Sequence, residues 1–287
     1  MSALEILDSG PQALLQDAGR LGWASIGVGR AGAADRSAYE LGARLVAHES
    51  GLAGLEITFG GLVARAHGSM TVVLTGADAQ ARVDGAAVGH AALLDLRDGQ
   101  ELRLSMPTAG LRTYLTVRGG WDVPSVLGSR STDTLSGLGP DPVAAGTLLT
   151  VGDYQGRYPN VDVAPVPLPP SGKVTLRVLP GPRVDWFADA DRWADRLWEV
   201  SDRSNRIGLR LQGEALTRAP AYADKEVPSE GMVRGAIQVP PDGQPVLFGN
   251  DHPVTGGYPV IAVVVSADMD RAAQLRPGQQ VYFRWAQ

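Results

Sequence analysis

A six-residue segment near the middle of the chain combines several groups that can bind an anion. Gly128-Ser-Arg-Ser-Thr-Asp133 offers backbone N–H groups, three hydroxyls and one guanidinium. Such donors suit a carboxylate, a carbamoyl group or a phosphate, and they can stabilise a developing oxyanion. The same residue types also satisfy the backbone of a tight turn. The segment therefore predicts either an anion site or a self-bonded turn.

Three further polar groupings have the same two interpretations. Thr255-Gly-Gly-Tyr258 could bring backbone close to a flat ligand, with Tyr258 stacking or donating, or could be a hairpin turn. Asp251 and His252 could form an acid–base pair, although a histidine beside a proline is often structural. Asp17 and Arg20 could bind a ligand or pair with each other on a loop.

Several kinds of catalytic site are excluded by what the sequence lacks. It has no P-loop and no Gly-x-Ser-x-Gly nucleophile elbow, and it contains no cysteine. The four histidines lack the spacing of metal ligands, so no metal site is predicted. Neither Lys173 nor Lys225 has the neighbours of a biotin-accepting lysine, which predicts no covalently bound biotin on this chain.

Composition and charge restrict the partners. The 287 residues carry a formal net charge of −5, which does not favour nucleic acid or an anionic membrane surface. The longest apolar run, about Val260–Val265, is far too short to span a membrane. With no signal-peptide pattern at the start, the sequence predicts a soluble, cytoplasmic protein with no nucleic-acid or membrane partner.

The elements that must position these polar groups are mostly strands. One helix is predicted after Asp35, a plausible N-cap, and a second, broken helix over Trp186–Trp198. Alternation, β-branched residues and 36 glycines favour short strands separated by turns. The predicted strands cover residues 55–59, 71–75, 112–118, 174–179, 236–239, 246–248 and 260–265.

The chain is predicted to contain two related halves. A segment with five prolines, Pro159–Pro170, is typical of a semi-rigid linker. Leu96–Leu104 and Leu275–Phe283 each place a glycine turn before an alternating strand. We therefore predict a mainly β protein with an N-terminal unit over 1–160, a linker over 161–172 and a C-terminal unit over 173–287.

Taken in order, the polar loops resemble those of one protein family. The chain is similar to the allophanate hydrolase subunit 2-like family, which includes the C subunit of 5-oxoprolinase and the carboxyltransferase region of urea carboxylase. The resemblance is carried by motifs at residues 16–22, 27–35, 55–58, 118–133, 179–183, 201–213, 235–245 and 255–259.

The resemblance implies a fold of two cyclophilin-like β-barrel units with a few short helices. It implies a role as the C subunit of an ATP-dependent 5-oxoprolinase that opens 5-oxoproline to glutamate, with ATP used by the complex at a site not assignable to this chain. It also implies partners: a subunit 1-like protein (the B subunit of 5-oxoprolinase), the LamB/YcsF-type A subunit and a small-molecule amide substrate.

Candidate site residues follow from the match of family motifs to polar loops. We expect Arg130, Asp35 and Tyr258 to be catalytic, in a cleft between the units or at the partner interface. The expected substrate-binding residues are Arg20, Ser131, Thr132, Gln238, Thr255, Gly256 and Gly257. The chain departs from the usual family pattern at Ala34 and at Asp251-His252-Pro253.

Two other functions remain open. One is a carboxyltransferase, or allophanate hydrolase subunit 2, acting in urea-type amide metabolism with biotin supplied in trans. The other is a non-catalytic antagonist that binds a kinase-inhibitor-like subunit 1 partner without turnover.

Overall fold

The computed structural model describes residues 2–48, 51–154, 156, 157 and 159–286. The chain divides into two compact units, each built from several segments. The N-terminal unit comprises Met1–Leu21, Ala31–Asp133 and Gly137–Pro169, and the C-terminal unit comprises Gly22–Arg30, Thr134–Ser136 and Pro170–Gln287. The predicted division at residues 160 and 172 stays a prediction. Two short early segments, Gly22–Arg30 and Thr134–Ser136, join the C-terminal unit, and no shift in composition marks them in the sequence.

The N-terminal unit is made of two antiparallel sheets that share one core. Its strands are β1 (Ala3–Ser9), β2 (Gln12–Gln16), β3 (Gly54–Thr58), β4 (Leu62–His67), β5 (Met70–Gly76), β6 (Arg82–Val83), β7 (Ala86–Ala87), β8 (Leu93–Leu96), β9 (Glu101–Arg103), β10 (Arg112–Val117) and β11 (Leu148–Thr150). One sheet has the order β11-β1-β4-β9-β6-β7 and the other β2-β3-β10-β5-β8. Alternate residues of both sheets point into a common apolar core, which makes the mainly β prediction correct.

The predicted helix forms as α1 (Arg36–Leu45). Asp35 is its N-cap, and its carboxylate accepts from the Ala38 N–H at 3.0 Å. A Cβ at Gly42 would lie 2.7 Å from the Thr116 hydroxyl, so glycine at this position lets the helix approach β10 closely. The helix therefore fixes where the loop before it, including Asp35, is placed.

The C-terminal unit is a closed seven-stranded barrel with the order β12-β19-β16-β17-β14-β13-β20. The strands of this unit are β12 (Val174–Pro180), β13 (Trp198–Val200), β14 (Gly208–Gln212), β15 (Glu230–Gly231), β16 (Ala236–Gln238), β17 (Val246–Phe248), β18 (Thr255–Gly256), β19 (Val260–Val264) and β20 (Gln280–Trp285). Strands β15 and β18 form a separate two-stranded ribbon. A short helix, α2 (Met269–Ala273), precedes β20. No helix within the described part of the chain is long and apolar enough to cross a membrane.

Two local predictions need correction or detail. The predicted helix over Trp186–Trp198 is wrong, because the segment contains only two single 3-10 turns, Val184–Trp186 and Trp193–Asp195, before β13 begins. Three tryptophans of this segment, Trp186, Trp193 and Trp198, belong to the barrel core. Part of the predicted linker is paired: Val163 forms a β-bridge with Ala92.

The two similar segments, Leu96–Leu104 and Leu275–Phe283, form turns with the same hydrogen bonds. The Arg97 N–H donates to the Gln100 side chain at 2.9 Å, and the Gln100 N–H returns to the Arg97 carbonyl at 3.1 Å. In the C-terminal unit, Arg276 and Gln279 make the same two bonds at 3.1 and 3.0 Å. In both turns the next-to-last residue is a glycine with φ near +80°. One turn design thus precedes a strand in each unit.

Candidate functional site

In the N-terminal unit the family motifs meet around the buried carboxylate of Asp17. One oxygen of Asp17 accepts from the hydroxyls of Ser129 and Ser131, both at 2.6 Å, and from the Gly19 N–H at 2.8 Å. The other oxygen accepts from the Arg130 N–H at 2.6 Å. Asp17 is only 2% exposed, so these four donors replace its hydration. We call this group the Asp17 cluster.

Most polar groups of the predicted anion segment bind other parts of the same unit. The Arg130 guanidinium donates to the carbonyls of Val123 at 2.9 Å and Gly51 at 2.7 Å. The Thr132 hydroxyl donates to the Pro140 carbonyl at 2.9 Å.

Arg20 is held in the same way, since its guanidinium donates to the carbonyls of Val126, at 3.2 Å, and Ser131. The Gln16 side chain donates to the Thr132 carbonyl at 2.8 Å. The polar groups of the segment are therefore bound to other parts of the N-terminal unit, and ligand-binding roles for Arg20, Arg130, Ser131 and Thr132 stay predictions.

This geometry gives a first testable result. We expect Arg130→Ala to lower the free energy of unfolding by about 1.5–3 kcal/mol, because two carbonyls lose a charged donor. Arg130→Lys should recover only part of the loss, since a single ammonium cannot reproduce the planar fork. Urea denaturation of the purified chain measures both. If Arg130→Ala left the unfolding midpoint unchanged, the contacts to the two carbonyls would contribute nothing to stability. A ligand-binding role for Arg130 would then be favoured.

Asp35 belongs to a second buried group beneath α1. Its backbone N–H donates to the Tyr114 hydroxyl at 2.8 Å, and that hydroxyl donates to Glu56 at 2.7 Å. Arg112 lies 3.3 Å from the other oxygen of Glu56. Burial, together with the charges of Glu56 and Asp35, raises the pKa of the Tyr114 hydroxyl well above its usual value. Tyr114 therefore stays a proton donor and fixes the loop that carries Asp35.

Two residues central to these groups were not among the expected site residues. Glu56 interrupts the otherwise apolar pattern of β3, and a buried carboxylate in such a strand indicates a polar partner. The sequence predicts Asp17 either to bind a ligand or to pair with Arg20, and in the structure its carboxylate instead accepts from Gly19, Ser129, Arg130 and Ser131. Three of these donors, from Ser129, Arg130 and Ser131, lie more than a hundred positions away in sequence, and no local pattern could indicate them.

In the C-terminal unit the expected residues gather around the ribbon of β15 and β18. Glu230 pairs with Gly256 across the ribbon, and the Gln238 amide donates to the Tyr258 carbonyl at 3.1 Å. A Cβ at Gly256 would lie 2.7 Å from the Gln238 nitrogen, so a side chain there would displace this amide. The structure thus brings together Gln238, Thr255, Gly256, Gly257 and Tyr258. We call residues 255–258 the Tyr258 loop.

The Tyr258 loop differs from the Asp17 cluster because several of its donors have no protein partner among the described residues. Within the described residues, the hydroxyls of Thr255 and Tyr258 have no protein partner, and neither do the backbone N–H groups of Gly257 and Tyr258. The Tyr258 side chain is 45% exposed. Two adjacent N–H groups beside a phenol hydroxyl can bind a carbonyl or carboxylate oxygen.

The Asp251–His252 pair does not have the geometry of an acid–base couple. Asp251 is fully buried and accepts from the Arg206 guanidinium at 2.9 and 3.0 Å. It also accepts from the hydroxyl and N–H of Thr134, at 2.6 and 2.9 Å. The His252 ring instead stacks on Phe248 and contacts the Pro253 carbonyl at 2.8 Å. Asp251 is therefore a structural anchor of the loop.

Comparison with known proteins identifies the family. The model of the family described as "Carboxyltransferase domain, subdomain A and B" matches residues 26–285. The chain belongs to this family. The match spans both units, and the resemblance predicted from the loop motifs is confirmed.

Relatives within the carboxyltransferase family differ in size and name. The chain is 38% identical to the 5-oxoprolinase C subunit of Escherichia coli strain K12, over 98% of this chain and 90% of that protein. The crystal structure of TTHA0988 matches with a TM-score of 0.89 and 30% identity, over 99% of this chain but only 55% of TTHA0988. The crystal structure of K. lactis urea amidolyase matches with a TM-score of 0.91 and 27% identity, over 99% of this chain but only 19% of the amidolyase. The relatives that are named for a reaction are enzymes or parts of enzymes, and this chain corresponds to one portion of the larger ones.

Proposed function

We propose that this protein is the C subunit of an ATP-dependent 5-oxoprolinase and acts with partner subunits to open 5-oxoproline to glutamate. The supporting observation is the match to the 5-oxoprolinase C subunit of Escherichia coli, which spans 90% of that protein rather than a fraction of a longer one. A second relative of the same name, from Haemophilus influenzae, is 31% identical over 98% of this chain.

The Tyr258 loop is the proposed contact with the amide substrate. Its free N–H groups can polarise the amide carbonyl and stabilise the oxyanion that forms when the amide is attacked. The Tyr258 hydroxyl can donate to the substrate carboxylate or to the same oxygen. In this proposal the Asp17 cluster is a rigid support, since its donors already have protein partners.

The remaining parts of the reaction are assigned to other polypeptides. The sequence has no P-loop, and we propose that a partner, the LamB/YcsF-type A subunit or the subunit 1-like B subunit, provides the ATP site. Lys173 and Lys225 each place their ammonium over an aromatic ring, at 5.7 Å from Tyr282 and 4.8 Å from Tyr222. A biotinyl lysine must instead extend freely from a turn, so we propose that no biotin is attached to this chain.

Reconstitution tests the assignment. The chain is co-expressed with a subunit 1-like protein and a LamB/YcsF-type protein, and glutamate formed from 5-oxoproline is measured with and without ATP. We expect ATP-dependent turnover only when all three are present. A stable complex that forms no glutamate under any of these conditions would refute the function and favour the non-catalytic antagonist.

The role of Tyr258 is tested in the same complex. We expect Tyr258→Phe to lower kcat/KM for 5-oxoproline about tenfold or more, because one hydrogen bond to a charged oxygen is lost. Tyr282→Phe is the matched control and should leave the activity unchanged. An equal, small effect of both substitutions would remove Tyr258 from the site.

A second function has its own support. The family model is named for carboxyltransferase domains, and K. lactis urea amidolyase has the fold of this chain as one part of its length. In this alternative the chain transfers a carboxyl group from biotin supplied in trans to a urea-type amide. The chain would then carboxylate urea when a biotinylated carrier is supplied and would not turn over 5-oxoproline. This result would favour the carboxyltransferase over the 5-oxoprolinase subunit.

A further inference from the structure

The C-terminal unit has a groove next to the outward side of β14 that the proposed function does not use. Its volume is about 260 Å³, and its lining includes Arg203, Arg210, Gln212, Asp242 and Gln244. This volume is below the usual range for drug-sized ligands, about 300–1,000 Å³, and suits a small molecule. We call it the arginine groove.

Its two arginines differ from the third arginine of the same motif. Arg206 is 3% exposed and lies in the ion pair with Asp251. Arg203 and Arg210 are exposed, and among the described residues neither guanidinium has a carboxylate or carbonyl partner. Two forks with free donors in one groove form a binding surface for oxyanions, which accept hydrogen bonds from arginine in pairs.

The walls of the groove are fixed by bonds that leave the guanidinium groups free. The Gln244 side chain bonds the backbone of Gly213 in both directions, at 3.0 and 3.2 Å. The Arg210 N–H donates to the Ser204 hydroxyl at 3.0 Å, and the Arg203 N–H to the Ser201 hydroxyl at 3.3 Å. The backbone at both arginines is therefore held in place, and a ligand would order only their side chains.

We propose that the arginine groove binds a small oxyanion, a phosphate or carboxylate compound held between Arg203 and Arg210. The site is separate from the Tyr258 loop and does not depend on the proposed function. Asp242 lines the same groove, with one carboxylate oxygen accepting from the Gln244 N–H at 3.0 Å. Its negative charge opposes the binding of an anion, so removing that charge should strengthen binding, whereas removing either arginine should weaken it.

Calorimetric titration of the full chain with inorganic phosphate, and separately with glutamate, tests the proposal. We expect saturable binding of at least one anion, and the one that binds identifies the ligand as phosphate or carboxylate. Arg203→Gln and Arg210→Gln should each weaken that binding at least about tenfold. Arg284→Gln removes one exposed positive charge from β20, outside the groove lining, and should change binding less than about twofold.

Asp242→Asn should change the affinity for the anion in the opposite direction from the two arginine variants. It keeps the oxygen that accepts from Gln244 and removes the negative charge, so it should tighten binding about threefold or more. Urea midpoints equal to that of the wild type establish that the four variants are folded. The proposal is overturned if neither anion binds saturably, or if binding persists with equal affinity in both groove variants, Arg203→Gln and Arg210→Gln.

Discussion

Replacing Asp17 with alanine should lower the free energy of unfolding by about 3 kcal/mol or more. The carboxylate accepts four hydrogen bonds in a buried position, and alanine would leave two hydroxyls and two N–H groups without an acceptor. Each unsatisfied buried group costs about 1–3 kcal/mol, although the serine hydroxyls can rotate to find other partners. The loss is therefore expected to be large but less than the sum of four.

The asparagine variant makes this prediction specific. Asp17→Asn keeps the size of the side chain, but it places an NH₂ donor where one of the oxygens now accepts. Whichever way the amide is turned, one N–H or hydroxyl donor faces another donor, so Asp17→Asn should be nearly as unstable as Asp17→Ala. Asp122→Ala removes an exposed carboxylate from the same unit and should change stability by less than about 0.5 kcal/mol. Urea unfolding followed by tryptophan fluorescence compares the three, and wild-type stability in Asp17→Asn would refute the account of the cluster.

A loss of similar size is expected when the buried ion pair of the C-terminal unit is broken. Arg206→Ala should cost about 3–5 kcal/mol, because Asp251 would be left fully buried without a counter-charge. Thr134→Val removes only the hydroxyl bond to Asp251 and should cost about 1 kcal/mol. Arg203→Ala, in the same motif but with no side-chain partner among the described residues, is the matched control and should change stability by less than about 0.5 kcal/mol.

The pH dependence of this loss is a stronger test than its size. Burial alone would raise the pKa of Asp251, but the charge and hydrogen bonds of Arg206, with the bonds from Thr134, outweigh it and hold the pKa below its usual value. Asp251 therefore contributes stability above its unfolded pKa, about 3.9, and this contribution is lost as the pH falls through the lower folded pKa. In Arg206→Ala the main opposing charge is gone, so the folded pKa rises.

The difference between the wild type and Arg206→Ala should consequently be largest at pH 7 and shrink as the pH falls from the raised folded pKa of the variant towards the lowered folded pKa of the wild type. Urea unfolding at pH 7, 5 and 3.5 measures it. The Arg203→Ala control should show no such trend. A difference that stayed constant over this range would mean that Asp251 does not depend on Arg206 for its charge.

Local patterns predicted α1 and seven strands of the fold, but not how the tryptophans between Trp186 and Trp198 pack. Asp35 was predicted as an N-cap from residue type and position alone, because capping depends on only a few neighbouring residues. The aromatic and acidic residues of the Trp186–Trp198 segment led to the prediction of a broken helix. In the structure its tryptophans reach the barrel core from two short 3-10 turns and from the start of β13. Tertiary packing decided that segment, and its local pattern does not contain this information.

The candidate site shows the same limit. Residue types predicted that the segment at 128–133 could bind an anion or satisfy its own turn, and the choice depended on which groups lie nearby in space. Val123, inside the same motif, supplies one partner, but Asp17 and Gly51 lie 113 and 79 positions from Arg130, separations that no local motif encodes. The Tyr258 loop has a similar glycine-rich composition, but its donors find no such partners in the described chain.

Thr134 belongs to the C-terminal unit although it precedes every barrel strand in the sequence. Thr134 binds Asp251 across 117 positions, so the ribosome must synthesise the chain as far as Asp251 before this contact can form. Contacts of such long range slow folding, because a large loop must be closed before they are gained. All segments of the N-terminal unit are synthesised by Pro169, before the barrel strands, whereas the barrel must recruit a segment made much earlier. The order of synthesis is therefore not the order in which the second unit is completed.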